Sequence, residues 1–399
     1  MPTALLAWEL GGGVGHCVNL APIASGLLER GWDVWVAARD MTTAEIVLRP
    51  ANVSYLQAPM LVANPVRPKN PTRTFAHILH NVGFGDDRQL DVLVAGWCHL
   101  FDFICPDVLV CEHAPTALLA SRRYDIRRII LGTGFFSPPD VSPLPELRYW
   151  RPSDPSENQV DEAAVLFRVN QWLTRHRLSS LERLSQLYSS ADANFLLTFA
   201  ELDHYPQRQA NRYWGMWSLS RPLLPEWPDG PGSRVFAYLK PLPSRSAMSV
   251  LLATLRETRL PTLVYVAGGS PEWLRRFQSP RLRFLTQPVD IHEVGRRCDL
   301  AILNGNAGTA TELLLRGVPQ LHIPLFLEQE VFSQRVVELG AALIASPNRP
   351  EQIVARLMSL VHSRDRYAEA AHRFAAAHMS YQSQASINEI VARIDSGNT

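Results

Sequence analysis

Two stretches of this 399-residue chain carry residue types arranged for anion binding and for proton transfer. The first is CDLAILNGNAGTATELLLRGVPQLHIPLFLEQ, residues 298–329. Ala301, Ile302 and Leu303 continue an apolar run of the kind that forms a buried strand, and it runs directly into Asn304-Gly305-Asn306-Ala307-Gly308-Thr309. A helix is predicted over about 310–316, stopped by Gly317. Strand, glycine-bearing turn and helix start form a geometry that binds anions, because glycines let the backbone come close and N–H groups at the helix start face the ligand. Thr309 is placed to cap that helix and to donate to a phosphate oxygen. The second stretch opens the chain. A short apolar run, 4–8, precedes a loop over 9–15 with four glycines, and His16 follows the last of them. Imidazole titrates near neutrality, which suits taking a proton from a hydroxyl. The plainer alternative is a histidine that only orders the glycine turn.

The elements around these residues read as α/β. A helix over 17–30 places Leu20, Ile23, Ala24, Leu27 and Leu28 on one face, with Pro22 in its first turn and Gly31 at its end. Residues 32–37 read as the next strand, which completes a βαβ unit with the glycine loop at its ligand end. A further strand over 107–112 ends in Glu112, followed by His113. Another over 127–131 leads into Gly132-Thr133-Gly134-Phe135-Phe136, whose two aromatics either stack on a flat acceptor or pack the loop. Residues 59–74 hold four prolines and read as an irregular loop. His77 and His80 are three apart but lack acidic or cysteine neighbours, so they are weak metal candidates. Residues 218–233 hold four prolines and two glycines, more than a regular element tolerates, and read as a linker. Beyond it, strands are predicted over 234–239 and 262–267, the latter followed by Gly268-Gly269-Ser270.

Length and composition bound the rest. A chain this long suits two domains. Apolar residues make up 46% and charged residues 19%, with a formal net charge of +1, so nothing argues for a nucleic-acid partner. The five cysteines, Cys17, Cys98, Cys105, Cys111 and Cys298, lack metal-ligand spacing. Their odd number, with no basic leader before the first apolar run, leads us to expect a reducing, cytoplasmic setting. No run reaches the length of a transmembrane segment.

The 298–329 stretch resembles the donor-binding signature of the UDP-glycosyltransferase-like family, glycosyltransferase family 1 type. That signature is roughly H-G-G-x-G-T-x-x-E-x-x-x-x-G-V-P, then a proline, then an acidic residue and Gln. Gly305, Gly308, Thr309, Glu312, Gly317, Val318, Pro319, Pro324, Glu328 and Gln329 match. Asn304 stands where the family has a diphosphate-binding His, and Asn306 where it has the second Gly. Gly15-His16, and Arg30-Gly31-Trp32-Asp33-Val34 after the helix, resemble the start of the same family. They resemble more weakly the cell-wall UDP-N-acetylglucosamine transferases.

The resemblance implies a GT-B fold, two doubly wound Rossmann-like α/β domains facing each other across a crevice. Residues 1–217 would be the acceptor-binding domain, 218–233 the linker, 234–380 the nucleotide-sugar domain, and 381–399 a helix crossing back to the first domain. The co-substrate would be a UDP- or dTDP-linked sugar, with no permanently bound cofactor and no metal. Asn304, Gly305, Asn306, Gly308 and Thr309 would hold its diphosphate. Ser270 is a further candidate, because the family's loop after the first strand of this domain also touches the diphosphate. Glu312 would hold the ribose, Val289 would contact the base, and Glu328 and Gln329 would hold hydroxyls of the sugar. His16 would be the general base of an inverting transfer. Glu112, where the family often has Asp, would orient it, with His113 as a rival base. A small molecule, a lipid and a glycan are all open as acceptors, and so is a homodimer. Two alternatives keep the fold and change the activity. One is a non-catalytic nucleotide-sugar binder, since Asn304 offers a neutral donor where the family has an imidazole. The other is a GT-B epimerase or hydrolase.

Overall fold

Runs of Val, Leu, Ile and Ala become the central strands, buried on both faces, the pattern that parallel sheets impose. The computed structural model describes residues 1–62, 66–209, 211–218 and 223–397. Residues 63–65 of the expected proline-rich loop, 219–222 of the expected linker and 398–399 of the expected C-terminal segment lie outside the described residues. The chain divides into two units: Met1–Gly215 with the segment from Gln382 onward, and Met216–Tyr381.

Among the described residues the first unit has a six-stranded parallel sheet of β1 (Thr3–Trp8), β2 (Asp33–Ala38), β3 (Ser54–Gln57), β4 (Val108–Glu112), β5 (Arg127–Gly132) and β6 (Ala193–Leu196), in the order β3-β2-β1-β4-β5-β6. The second unit repeats that order. Its six described strands are β7 (Val235–Leu239), β8 (Thr262–Val266), β9 (Leu282–Phe284), β10 (Leu300–Leu303), β11 (Gln320–His322) and β12 (Ala342–Ile344), arranged β12-β11-β10-β7-β8-β9 and again parallel. Both are the doubly wound dinucleotide-type order, which reverses direction between the first and fourth strands of the unit. The reversal points, β1 beside β4 and β7 beside β10, are where such sheets bind ligands. No described helix is long and apolar enough to cross a membrane.

Two helices set the frame of the first unit. The helix Gly15–Glu29 opens directly from the glycine loop, two residues earlier than its apolar pattern indicated. His16 is therefore its second residue, and Pro22 lies in the helix interior rather than in the first turn. The helix Ser383–Ser396 turns Ile387, Ile390, Val391 and Ile394 inward and packs on the Gly15 helix, where a Cβ at Gly26 would lie 2.8 Å from Val391. Asp395 accepts from Arg30 at 2.8 Å and from the Trp32 indole at 2.9 Å, and Arg127 donates to the Ile394 carbonyl at 2.7 Å.

Glu9, just past β1, is buried and caps the helix Pro115–Ser121, accepting from the N–H groups of Thr116 at 3.1 Å and Ala117 at 3.4 Å. Burial pushes its carboxyl from the ordinary 4.5 to about 7, against the pull of those hydrogen bonds. The fold thus favours the protonated form, so Glu9 costs stability progressively as pH rises from 4.5 through 7. Glu9→Gln keeps an acceptor and removes the titration. Unfolding curves are expected to show the variant gaining on the wild type by on the order of 3 kcal/mol between pH 4.5 and pH 8. A stability difference that stays constant over that range would refute this.

Candidate functional site

The register of the first sheet builds one half of the site. Trp8 ends β1 directly opposite Glu112, which ends β4, at the point where strand order reverses. The glycine loop carries the chain over this edge, and the helix it opens lays the His16 ring on both residues. The ring stacks on Trp8 with centroids 5.1 Å apart and planes 17° apart. His16 Nδ1 lies 2.5 Å from Glu112 Oε2. Glu112 is fully buried and His16 is 7% exposed. A carboxylate only accepts, so the shared proton is the Nδ1–H, and the tautomer so fixed carries its lone pair on Nε2. Asn19 donates to the other carboxylate oxygen at 3.1 Å. It lies one turn along the same helix as His16, a spacing that marks a shared face. Gly11, at φ +84°, admits the imidazole, since a Cβ there would run into the His16 ring.

His113, the rival base, is held differently. It adopts φ +52°, stacks on Phe136 at 3.9 Å, and its ring nitrogens find no hydrogen-bond partner among the described residues. Burial first, then the neighbouring His16 and Arg39, push its pKa well below the usual imidazole range. Its ring packs on Phe136, whereas His16 is the imidazole that Glu112 holds. Phe135 and Phe136 are buried too, and their loop is pinned from beneath. Arg208 pairs with Asp203 at 2.6 Å and donates to the carbonyls of Gly134 at 3.2 Å and Ser137 at 2.8 Å. His77 serves structure: it faces Asp161 at 2.9 Å and accepts from the Arg73 N–H at 2.9 Å.

The donor signature occupies the reversal point of the second sheet. Asn304, the residue after β10, is buried, and its side chain is committed to backbone on both sides. It accepts from the Lys240 N–H at 2.7 Å and donates to the Ile323 carbonyl at 2.8 Å. It therefore ties together the ends of β7, β10 and β11. Gly305 sits at φ +84°, and a Cβ there would strike Ser333 Oγ and lie 3.0 Å from the Gln329 carbonyl, so only glycine fits. Beneath it, His322 bonds Ser333 at 2.8 Å and Gln320 at 2.7 Å, and Gln320 donates to the Ala310 carbonyl at 2.8 Å. Burial drives His322 down to about 3, so it is a neutral strut.

The helix of the signature runs Ala307–Leu314, three residues ahead of the expected start. Asn306 is its N-cap residue, in extended conformation, so Thr309 lies within the first turn and does not cap the helix. The backbone leaves its extended path at Asn306, before the first apolar residue that marks the pattern. Asn306 makes no side-chain cap bond either; its Oδ1 accepts from Gln329 at 2.5 Å, while Gln329 Oε1 accepts from the Leu325 N–H at 2.8 Å. Glu328 is half-buried beside Gln329 in the first turn of the helix Leu327–Glu338.

Glu312 is buried and faces His292 Nδ1 at 2.6 Å and Arg316 at 3.5 Å. Its hydrogen bond pushes the His292 pKa upward. Val289 is buried, one residue before Asp290, which caps the helix Ile291–Gly295. Ser270 is exposed and caps the helix Pro271–Leu274, accepting from Trp273 at 3.4 Å. The expectation for Ser270 needs correcting in its topology. The first strand of this unit is β7, paired with β10, so the first-strand loop begins at Lys240; Ser270 follows β8, one strand further from the reversal point. Asn19 was accessible to helical spacing; Lys240 and His292 carry no local signal.

No protein-family model matches the chain. A PGL/p-HBAD biosynthesis rhamnosyltransferase of Mycobacterium bovis (strain BCG / Pasteur 1173P2) is 26% identical over 327 residues, covering 76% of this chain and 71% of its own. A PGL/p-HBAD biosynthesis glycosyltransferase of Mycobacterium tuberculosis (strain ATCC 25177 / H37Ra) is 24% identical over 316 residues, 74% of this chain and 72% of its own. The crystal structure of the glycosyltransferase VinC in complex with dTDP superposes with a TM-score of 0.68 at 16% identity, covering 98% of each chain. The chain has the GT-B fold, with two Rossmann-like units. The names of both relatives agree with the resemblance of the 298–329 stretch to the UDP-glycosyltransferase-like signature.

Proposed function

We propose that this protein is an inverting glycosyltransferase that moves a sugar from a UDP- or dTDP-linked donor to an acceptor hydroxyl. Relatives named as a glycosyltransferase and a rhamnosyltransferase, and a structural neighbour with dTDP bound, support glycosyl transfer from a nucleotide-linked sugar. The observation that carries the finer reading is the buried His16–Glu112 pair at the reversal point of the first sheet. In this scheme His16 Nε2 takes the acceptor proton, and Glu112 stabilises the imidazolium that forms. The acceptor oxygen attacks the anomeric carbon on the face opposite the leaving diphosphate, which inverts that centre. Charge grows on the diphosphate as the bond breaks, and the N–H groups of the Ala307–Thr309 turn, with the Thr309 hydroxyl, stabilise it. Glu312 holds the ribose, steadied by His292, and Val289 lines the base. Glu328 and Gln329 hold hydroxyls of the sugar. No metal ion enters the scheme.

One observation favours a second reading, a nucleotide-sugar binder without transfer: the Asn304 amide is committed to backbone and adds no charge to the donor loop. Calorimetric titration of UDP-glucose, UDP-N-acetylglucosamine, dTDP-glucose and GDP-mannose tests the proposal. One donor is expected to bind saturably, and Glu312→Ala to weaken it by about ten- to a hundredfold. Binding without turnover over a wide acceptor screen would select the second reading. No binding by any donor or free nucleotide would end both.

A further inference from the structure

A nucleoside diphosphate brings at least two negative charges, whereas a helix N-terminus offers only about half a positive one. Residue 304 adds none, because its amide is already bonded to Lys240 N–H and to the Ile323 carbonyl. We infer that Lys240 supplies the missing charge and that its ammonium binds the donor diphosphate. This rests on the donor-site reading above and names the cation of that site.

Topology places the residue. Open parallel sheets bind ligands beyond the carboxyl ends of their strands, where strand order reverses. In this unit that point lies between β7 and β10. Lys240 and Asn304 are the residues that leave those two strands, and the 2.7 Å hydrogen bond joins them directly. The Lys240 backbone is thereby fixed beside the turn that opens the helix Ala307–Leu314.

The side chain points into the same cluster. Its ammonium lies 5.6 Å from the ring centroid of Phe326. Phe326 is 58% exposed and is the N-cap residue of the helix Leu327–Glu338, whose Gln329 bonds Asn306. The ammonium therefore lies beside the 326–329 turn, which Gln329 ties to Asn306. Among the described residues Lys240 makes no ion pair, whereas Lys69 pairs with Asp161 and Arg316 with Glu312. A half-buried lysine resting on a ring, with no carboxylate to neutralise it, is a point charge on a flexible stem, the form of cation that phosphates accept from lysine.

The test compares diphosphates with their parent nucleosides. UDP, dTDP, uridine and thymidine are titrated into the wild type, Lys240→Met and Lys240→Arg at low and high salt. Methionine keeps an unbranched stem over Phe326, and the backbone bond to Asn304 does not involve the side chain. The wild type is expected to prefer a diphosphate to its nucleoside. Lys240→Met should reduce that preference by about thirtyfold, close to 2 kcal/mol, with nucleoside binding unchanged. Lys240→Arg should keep most of it, and the salt dependence of diphosphate binding should shrink in the methionine variant alone. A folded Lys240→Met with the wild-type preference and salt dependence overturns the inference while leaving the donor site standing. A wild type that binds no diphosphate removes the donor site and the role of Lys240 together.

Discussion

Replacing His16 by alanine is expected to lower sugar transfer by about a thousandfold, with binding of a nucleoside diphosphate unchanged. The imidazole is the base of the proposed reaction, and its position is over-determined. Trp8 supports the ring face, Glu112 fixes Nδ1, and Asn19 fixes the carboxylate. Glu112→Gln should also lose rate, because an amide cannot offset the charge of the imidazolium and can present its NH2 to Nδ1, which favours the wrong tautomer. Both variants are to be assayed in single turnovers, with any acceptor that the wild type uses. Partial rescue of His16→Ala by added imidazole would mark a chemical role, since a packing role responds to no added base. Wild-type rates in His16→Ala would sink the mechanism.

The second large effect is on stability. Asp203→Ala should destabilise the fold by about 3–5 kcal/mol. Asp203 and Arg208 are 1% and 5% exposed, and their pair, at 2.6 Å, is reinforced by the Tyr213 hydroxyl at 2.9 Å. Removing the carboxylate leaves a buried guanidinium with carbonyl partners alone. Asp203→Ala combined with Arg208→Met should cost less than Asp203→Ala by itself, because the stranded charge goes with its partner. Urea unfolding followed by tryptophan fluorescence measures both. A double variant less stable than the single one would show that the packing of Arg208, not its charge, is what matters. Transfer should fall as well, since the pinned loop carries Phe136, which packs 5.3 Å from the His16 ring.

Sequence and structure agree where the physics is local. The runs at 4–8 and 301–303 are strands because parallel sheets bury both faces, and each ends in a turn whose glycine is enforced by a neighbouring side chain. Element boundaries at the ligand end were less legible. Both the Gly15 and Ala307 helices begin before their apolar periodicity does, since a helix starts where the backbone turns, not where it first touches the core. What side chains are committed to was least legible. Asn304 meets Lys240 across 64 residues, and Glu312 meets His292 across a separate helix. Such partners are set by strand order, which no window of the sequence displays.

Strand order also has a consequence for biosynthesis. The helix Ser383–Ser396 completes the first unit, yet it follows the whole of the second unit in the chain. A ribosome delivers the six strands of the first sheet early, but the surface around Gly26, Arg30, Trp32 and Arg127 waits uncovered until the second unit has emerged. The nascent first unit must therefore persist as an unfinished body until the chain beyond the second unit has emerged.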